Sequence, residues 1–187
     1  IVIEFDRPVV PLGRMERAES EIPVSIAPQL ECRWRWLAPS TLACNLDEQS
    51  ALQPATRYSL TVRPGSLNDD GASVGRPFSH AFTTELPKVT GSWFSKWLAP
   101  RQPETTLRFN LPMEHGSLAA HLFYLAPGNR RIAAQVGESP DDNQWLVRPE
   151  RDLPVGVPVE LRVEPGLVAT SGPESGKEDR VIDTLFA

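Results

Sequence analysis

The sequence is poor in the features that most readily announce a function. No apolar run approaches the roughly 18 residues that a membrane-spanning helix needs, and no long apolar stripe recurs at helical spacing. There are only three histidines, His80, His115 and His121, and two cysteines, Cys32 and Cys44. The histidines share no ligand spacing, so neither a metal centre nor a catalytic triad is encoded. Positive charge is short as well. The formal net charge is −5, with nine basic and eleven acidic residues up to Lys88 and ten and thirteen beyond it. Neither part has the basic excess of a nucleic-acid binder. The chain opens on Ile1 inside a strand-like run, without an initiator Met or a signal peptide, and closes on another strand-like run. The expectation is a piece of a longer protein whose targeting information lies elsewhere.

What the chain has in quantity is proline, 19 of 187 residues, placed between short runs of alternating apolar residues. That composition points to an all-β fold. The chain also repeats itself. Leu52, Leu60, Val62, Pro64 and Gly65 recur as Leu153, Leu161, Val163, Pro165 and Gly166, at an offset of 101. Gly71 and Gly75 recur as Gly172 and Gly176, and Phe5-Asp6-Arg7-Pro8 matches Phe109-Asn110-Leu111-Pro112 with a small shift. The period is too long for a solenoid unit and suits a small domain. The expected fold is therefore two tandem antiparallel β-sandwich (Ig-like) domains, residues 1–87 and 88–187, joined at Glu85-Leu86-Pro87-Lys88.

In the first domain, strands are expected at Ile1–Phe5, Ile22–Ile26, Glu31–Trp36, Thr41–Leu46, Tyr58–Arg63 and Phe78–Thr84. In the second they fall at Thr106–Phe109, Ala119–Leu125, Arg131–Val136, Gln144–Arg148, Val157–Val163 and Asp179–Phe186. The stretch 89–105 has no counterpart at the start of the chain, so the first domain is expected to lack its opening strand.

Six motifs carry further expectations. A hairpin pivoting on Leu37-Ala38-Pro39 sets Trp36 against Ser40, Trp34 against Leu42 and Cys32 against Cys44. A disulfide between Cys32 and Cys44 follows if the compartment is oxidising, and two buried thiols if it is not. Strict alternation in Cys32-Arg33-Trp34-Arg35-Trp36 sends both arginines to solvent and both tryptophans inward. Leu52-Gln53-Pro54-Ala55-Thr56-Arg57-Tyr58 has the pattern of a tyrosine corner, with Val159 replacing the tyrosine in the second repeat. Trp93, Phe94 and Trp97 form the most apolar short cluster. They are expected to pack between domains or on the first strand, and otherwise offer a partner surface. Asn68-Asp69-Asp70-Gly71 reads as a turn rather than a calcium loop, because Thr170-Ser171-Gly172 lacks its carboxylates. Met113-Glu114-His115-Gly116 reads as a solvated loop.

The succession Phe5-Asp6-Arg7-Pro8-Val9-Val10-Pro11-Leu12-Gly13, Ile22-Pro23-Val24, Cys32-Arg33-Trp34-Arg35-Trp36, Thr41-Leu42 and Pro54-Ala55-Thr56-Arg57-Tyr58 resembles the Ig-like modules of bacterial α2-macroglobulins. The resemblance is closer over residues 1–86 than over 105–187. It implies a large periplasmic protein, in some cases tethered to the inner membrane through an N-terminal segment outside this chain. Such proteins trap proteases that breach the outer membrane, and some members are linked with cell-wall synthesis proteins. Target proteases would engage the parent protein, and the present residues would be non-catalytic scaffold with no cofactor and no metal. The thioester motif of the family, Cys-x-Glu-Gln, is not matched by Cys44-Asn45-Leu46-Asp47-Glu48-Gln49, whose spacing is longer. A rival reading from another class is a pair of adhesion or glycan-binding Ig-like modules.

Overall fold

Most strands among the described residues are short, from two to seven residues, while strands of eight, nine and eleven residues occur in the latter half, and all the ladders are antiparallel. In the computed structural model, the described residues are 1–11, 13, 16–47, 51–66, 73–141 and 143–186. The chain divides into two compact units: Ile1–Leu52 with Arg57–Thr84, and Gln53–Thr56 with Glu85–Ala187. The Asn68–Gly71 turn and the Glu48-Gln49 pair lie outside the described residues.

The first unit holds β1 (Val2–Glu4), β2 (Val24–Ala27), β3 (Arg33–Ala38), β4 (Thr41–Asn45), β5 (Arg57–Val62), β6 (Gly65–Ser66), β7 (Ser73–Val74) and β8 (Phe78–Thr83). They form two small antiparallel sheets, β1-β4-β3 and β2-β5-β8, and a two-stranded ribbon, β6-β7. Both small sheets feed one core. Trp36 and Leu42 come from the first sheet and Val24, Leu60 and Val62 from the second, joined by Val9, Val10 and Ile22. Burial follows the pleat: Arg33 and Arg35 are exposed, Trp36 is buried and Trp34 is partly buried, as alternation requires.

The Cys32–Cys44 disulfide is formed, with Cα atoms 4.9 Å apart, but the hairpin around it differs from the expected one. Trp34 lies opposite Cys44 and Trp36 opposite Leu42, a register two residues away from that expected. The chain turns on Pro39-Ser40, and an irregularity between Trp36 and Ala38 resets the ladder. A shift of two preserves side-chain parity. Cys32, just before β3, therefore still reaches Cys44 on the shared face, diagonally.

The second unit holds β9 (Val89–Ala99), β10 (Gln102–Phe109), α1 (His115–His121), β11 (Leu122–Ala126), β12 (Arg130–Glu138), β13 (Gln144–Pro149), β14 (Pro158–Val163) and β15 (Arg180–Phe186). Its seven strands lie in one antiparallel sheet, β15-β14-β11-β12-β13-β10-β9, which curls into a nearly closed barrel. One continuous sheet stands where two facing sheets were expected. Leu107, Leu118, Tyr124, Val147, Leu161 and Leu167 lie at its centre, each at most 1% exposed. The two edge strands meet at Val89. Its N–H donates to Glu178 Oε2 at 2.6 Å and its carbonyl accepts from Arg180 Nη2 at 3.0 Å.

The 101-residue repeat is visible in the pairing. β5 spans Arg57–Val62 and β14 spans Pro158–Val163. The order β1-β4-β3 corresponds to β10-β13-β12, and β2-β5-β8 to β11-β14-β15. In the second unit a β11–β12 ladder joins the two halves, and β9 is added outside β10. Tyr58 is 1% exposed and stacks on Phe82 at 5.5 Å, while its counterpart Val159 is fully buried.

Two segments depart from the sequence reading. The stretch 89–105 forms β9 and the start of β10, whose ladder is broken by irregularities at Gln102/Pro103, Glu104/Thr105 and Arg108/Phe109. Each extra residue flips the alternation, which hides the strand from a period-two reading. Residues His115–His121, expected as loop running into strand, form a helix. Leu118, Ala119 and Ala120 favour it, but a seven-residue helix does not stand alone. Leu118, fully buried, anchors it to the barrel core.

The disulfide gives a direct test. Closing a loop of sequence separation 12 stabilises by about 3 kcal/mol in the chain-entropy treatment. Reduction, or replacement of both cysteines by serine, should lower the denaturation free energy of the first unit by about that amount. Protein folded under oxidising conditions should take up no alkylating label before reduction; two labelled thiols would contradict the bond.

Candidate functional site

Several titratable groups among the described residues hold the fold together. Tyr124 is fully buried, and its hydroxyl donates to Val147 O at 3.3 Å. Burial pushes its phenol well above the ordinary value of 10, and the charge of Asp183 adds to the shift. It is therefore a neutral core donor at any physiological pH. His80 is exposed on β8, His115 lies tilted against Trp145 with ring centroids 5.7 Å apart, and His121 ends α1. Among the described residues no group of three His, Cys, Asp or Glu could hold a metal ion. Cys44 has its sulfur committed to the disulfide, so in this state it offers no thiol for a thioester.

The most developed polar constellation lies on the outer face of the barrel. Arg131 on β12 forks onto Glu164, with Nη2 and Nη1 at 2.6 and 2.8 Å from the two carboxylate oxygens. Its guanidinium also sits 3.7 Å above the ring of Phe123, on the intervening strand β11. The pair bridges β12 to the end of β14 across β11, which makes it a brace.

A mixed cavity of about 500 Å³ opens at one end of the barrel, with Met113, Glu138, Asp141, Asn143 and Trp145 among its walls. Glu138 and Trp145 are opposite each other on β12 and β13, and Trp145 is opposite the fully buried Leu107 on β10.

The apolar cluster found in the sequence falls on β9. Trp93, Phe94, Trp97 and Leu98 are 41%, 46%, 47% and 40% exposed. Phe94 and Trp97 touch at 5.6 Å between ring centroids, and Arg108 lies over Trp93 at 5.4 Å. Lys96 pairs with Glu104 at 3.6 Å. Among the described residues, β9 beyond Val89 is laddered only to β10. An edge strand with four exposed large apolar side chains has the make-up of a recognition surface.

The chain matches no protein-family model, and a search of curated proteins found no match.

The Arg131–Glu164 brace sets a pH dependence. The guanidinium's hydrogen bonds hold the Glu164 carboxyl below its ordinary value of 4.5. A depressed folded value means the stabilisation is present above pH 4.5 and is lost as pH falls through the folded value. Both side chains are at least a third exposed, so solvent screening limits the effect to about 0.5–1 kcal/mol. Glu164→Gln should cost about that much at pH 7 and nothing at pH 2. Urea titrations at the two pH values check it; an equal loss at both would show that the charge is irrelevant.

Proposed function

We propose that the chain is a pair of non-catalytic Ig-like modules that serve as scaffold in a bacterial α2-macroglobulin-like protease trap of the periplasm. The observation that carries the reading is the repeated strand plan. In the second unit, β9-β10-β13-β12 follows the A-B-E-D order of an Ig constant-type sheet, and β11-β14-β15 follows C-F-G. The first unit repeats B-E-D as β1-β4-β3 and C-F-G as β2-β5-β8. Tandem copies of one module suit spacing and scaffolding. The Cys32–Cys44 disulfide fits an oxidising compartment such as the periplasm. The motifs of residues 1–86 supply the link to the α2-macroglobulin modules. Partners of the parent would be target proteases and, by the same resemblance, cell-wall synthesis proteins.

The exposed β9 aromatics favour a second reading, adhesion or glycan recognition. Exposed indole faces stack on sugar rings as readily as on protein side chains. The scaffold reading expects the resonances of Trp93 and Trp97 to stay unmoved by soluble oligosaccharides; shifts confined to those two indoles would favour the rival.

The chain should neither inhibit a protease nor bind an amine covalently. Trapping requires a bait segment and a much larger body, and the Cys44 spacing departs from the thioester motif. Incubation with several broad-specificity proteases and with methylamine, followed by intact mass and residual activity, checks this. Stoichiometric inhibition, or a methylamine adduct at Gln49 with release of the Cys44 thiol, would overturn the scaffold reading.

A further inference from the structure

The chain as a whole is acidic, with a formal net charge of −5, yet one end of the barrel gathers positive charge. Three connections meet there. The β9–β10 turn brings Arg101, the β11–β12 turn brings Arg130, and the segment after β13 brings Arg151 and Asp152. Together they line a cavity of about 240 Å³, with Ile132 and Pro154 as its apolar wall. Ile132 is 2% exposed and belongs to the barrel core, so one side of the cavity is a medium of low dielectric constant, where charge acts more strongly than in water.

Two of the arginines are held in place, but the charge is left over. Arg101 donates from Nε to Leu153 O at 2.7 Å, and the Leu153 N–H donates to Arg101 O at 3.0 Å. Arg151 Nη2 donates to Arg131 O at 3.4 Å. Carbonyl oxygens orient a guanidinium without neutralising it. The carboxylate on the wall, Asp152, accepts from Gln102 Nε2 at 2.8 Å and stands 3.6 Å from Arg101 Nη1. Arg130 is exposed and has no hydrogen-bond or ion-pair partner among the described residues. Three cations against one carboxylate leave two positive charges on the cavity wall. The repeated strand plan does not require them: at the offset of 101, Arg151 and Asp152 fall on Ser50 and Ala51.

We infer that this cavity binds the phosphate group of a phosphomonoester. Such a group carries close to two negative charges at neutral pH, which matches the excess on the wall, whereas a carboxylate brings one. Its oxygens accept parallel N–H bonds from guanidinium forks. A guanidinium has five N–H donors; Arg151 uses one of them and Arg130 none among the described residues. The cavity, at about 240 Å³, is smaller than the roughly 300–1,000 Å³ of sites that enclose drug-sized molecules. It therefore takes the phosphate head and leaves the rest of the ligand outside. Asp152 opposes the anion, so removing its charge tightens binding. The inference stands on this geometry and does not use the α2-macroglobulin reading.

The test titrates inorganic phosphate into the full 187-residue chain at low salt, slightly above neutral pH, and follows the arginine side-chain Nε–H resonances. Those of Arg101, Arg130 and Arg151 should move on one saturating curve with a millimolar or lower midpoint, while those of Arg33 and Arg35 stay. Acetate should bind roughly tenfold more weakly, since it brings half the charge. Arg130→Gln gives up no bond within the fold and should weaken phosphate roughly tenfold, the effect of one charge-assisted hydrogen bond. Asp152→Asn keeps an acceptor for Gln102 and should tighten phosphate several-fold. Co-sedimentation with phosphatidylcholine vesicles that contain phosphatidic acid, lost in Arg130→Gln, upholds the site with a lipid headgroup as its ligand. Binding of glycerol phosphate without co-sedimentation upholds it with a soluble phosphomonoester. Movement of all arginines in step with ionic strength, equal binding of acetate, or unaltered affinity in Arg130→Gln would overturn the proposal.

Discussion

A β-sheet ends in a row of backbone N–H and C=O groups that must be paired, covered or left to water, and the treatment of that row sets the form of each unit. In the second unit, side chains do the pairing. Glu178 accepts the Val89 N–H, Arg180 donates to the Val89 carbonyl, and the two are bonded to each other at 3.0 Å. One residue of β9 is thereby gripped by the opposite edge of its own sheet. Hydrogen bonds to charged groups are among the stronger ones, at about 1.5–3 kcal/mol each, so this grip favours the curled sheet. Beyond it, the chain relies on other devices. Irregularities in the β9–β10 ladder and the single charge of Lys96 break the flatness of the free edge. The exposed tryptophans on the same strand work in the opposite sense, because they reward a covering partner.

The first unit follows the same strand plan with less material. It has the equivalents of β10 to β15 but none of β9 among its described residues, and its core is correspondingly smaller. Among the described residues, eight buried apolar side chains form its cluster, against eighteen in the second unit. A unit of this size gains most from a covalent constraint. The disulfide lies where that constraint is most useful, tying the start of β3 to β4, which is paired with β1 on its other side. Half-buried Ile1, Ile3 and Phe5 mark the place where the two units part company.

The sequence carried most of the strand positions because alternation survives wherever one face is buried and the ladder is regular. The match of Leu60 and Val62 with Leu161 and Val163 located two strands that occupy equivalent central positions. The disulfide was legible for a related reason, since an error of two in register leaves parity unchanged. What failed was local geometry that carries no periodic signal. The β9–β10 hairpin was hidden by its irregularities, and the positive φ of 70° at Arg101 in its turn falls on a residue that gives no warning of it. The α1 segment was hidden by its brevity, since one buried leucine is too little to establish a helical stripe. The Trp93, Phe94 and Trp97 cluster was visible, but its exposure depends on β9 being an edge, which only the sheet order reveals. The joining of two sheets into one by β11 and β12 was equally invisible, because either arrangement buries the same alternating residues.

β1 and β10 hold equivalent places, and among the described residues only β10 has an outer strand, β9, laddered to it. Residue-resolved amide exchange on the unliganded chain tests it most directly. Thr106 and Arg108 turn their N–H groups toward β9, and Val2 and Glu4 are their counterparts on β1. Exchange at Thr106 and Arg108 should be slow, by at least about a hundredfold relative to Val2 and Glu4. Ile3 and Phe5, which face β4, should be protected. Equal protection of Val2 and Thr106, or fast exchange at all four outward amides, would contradict it.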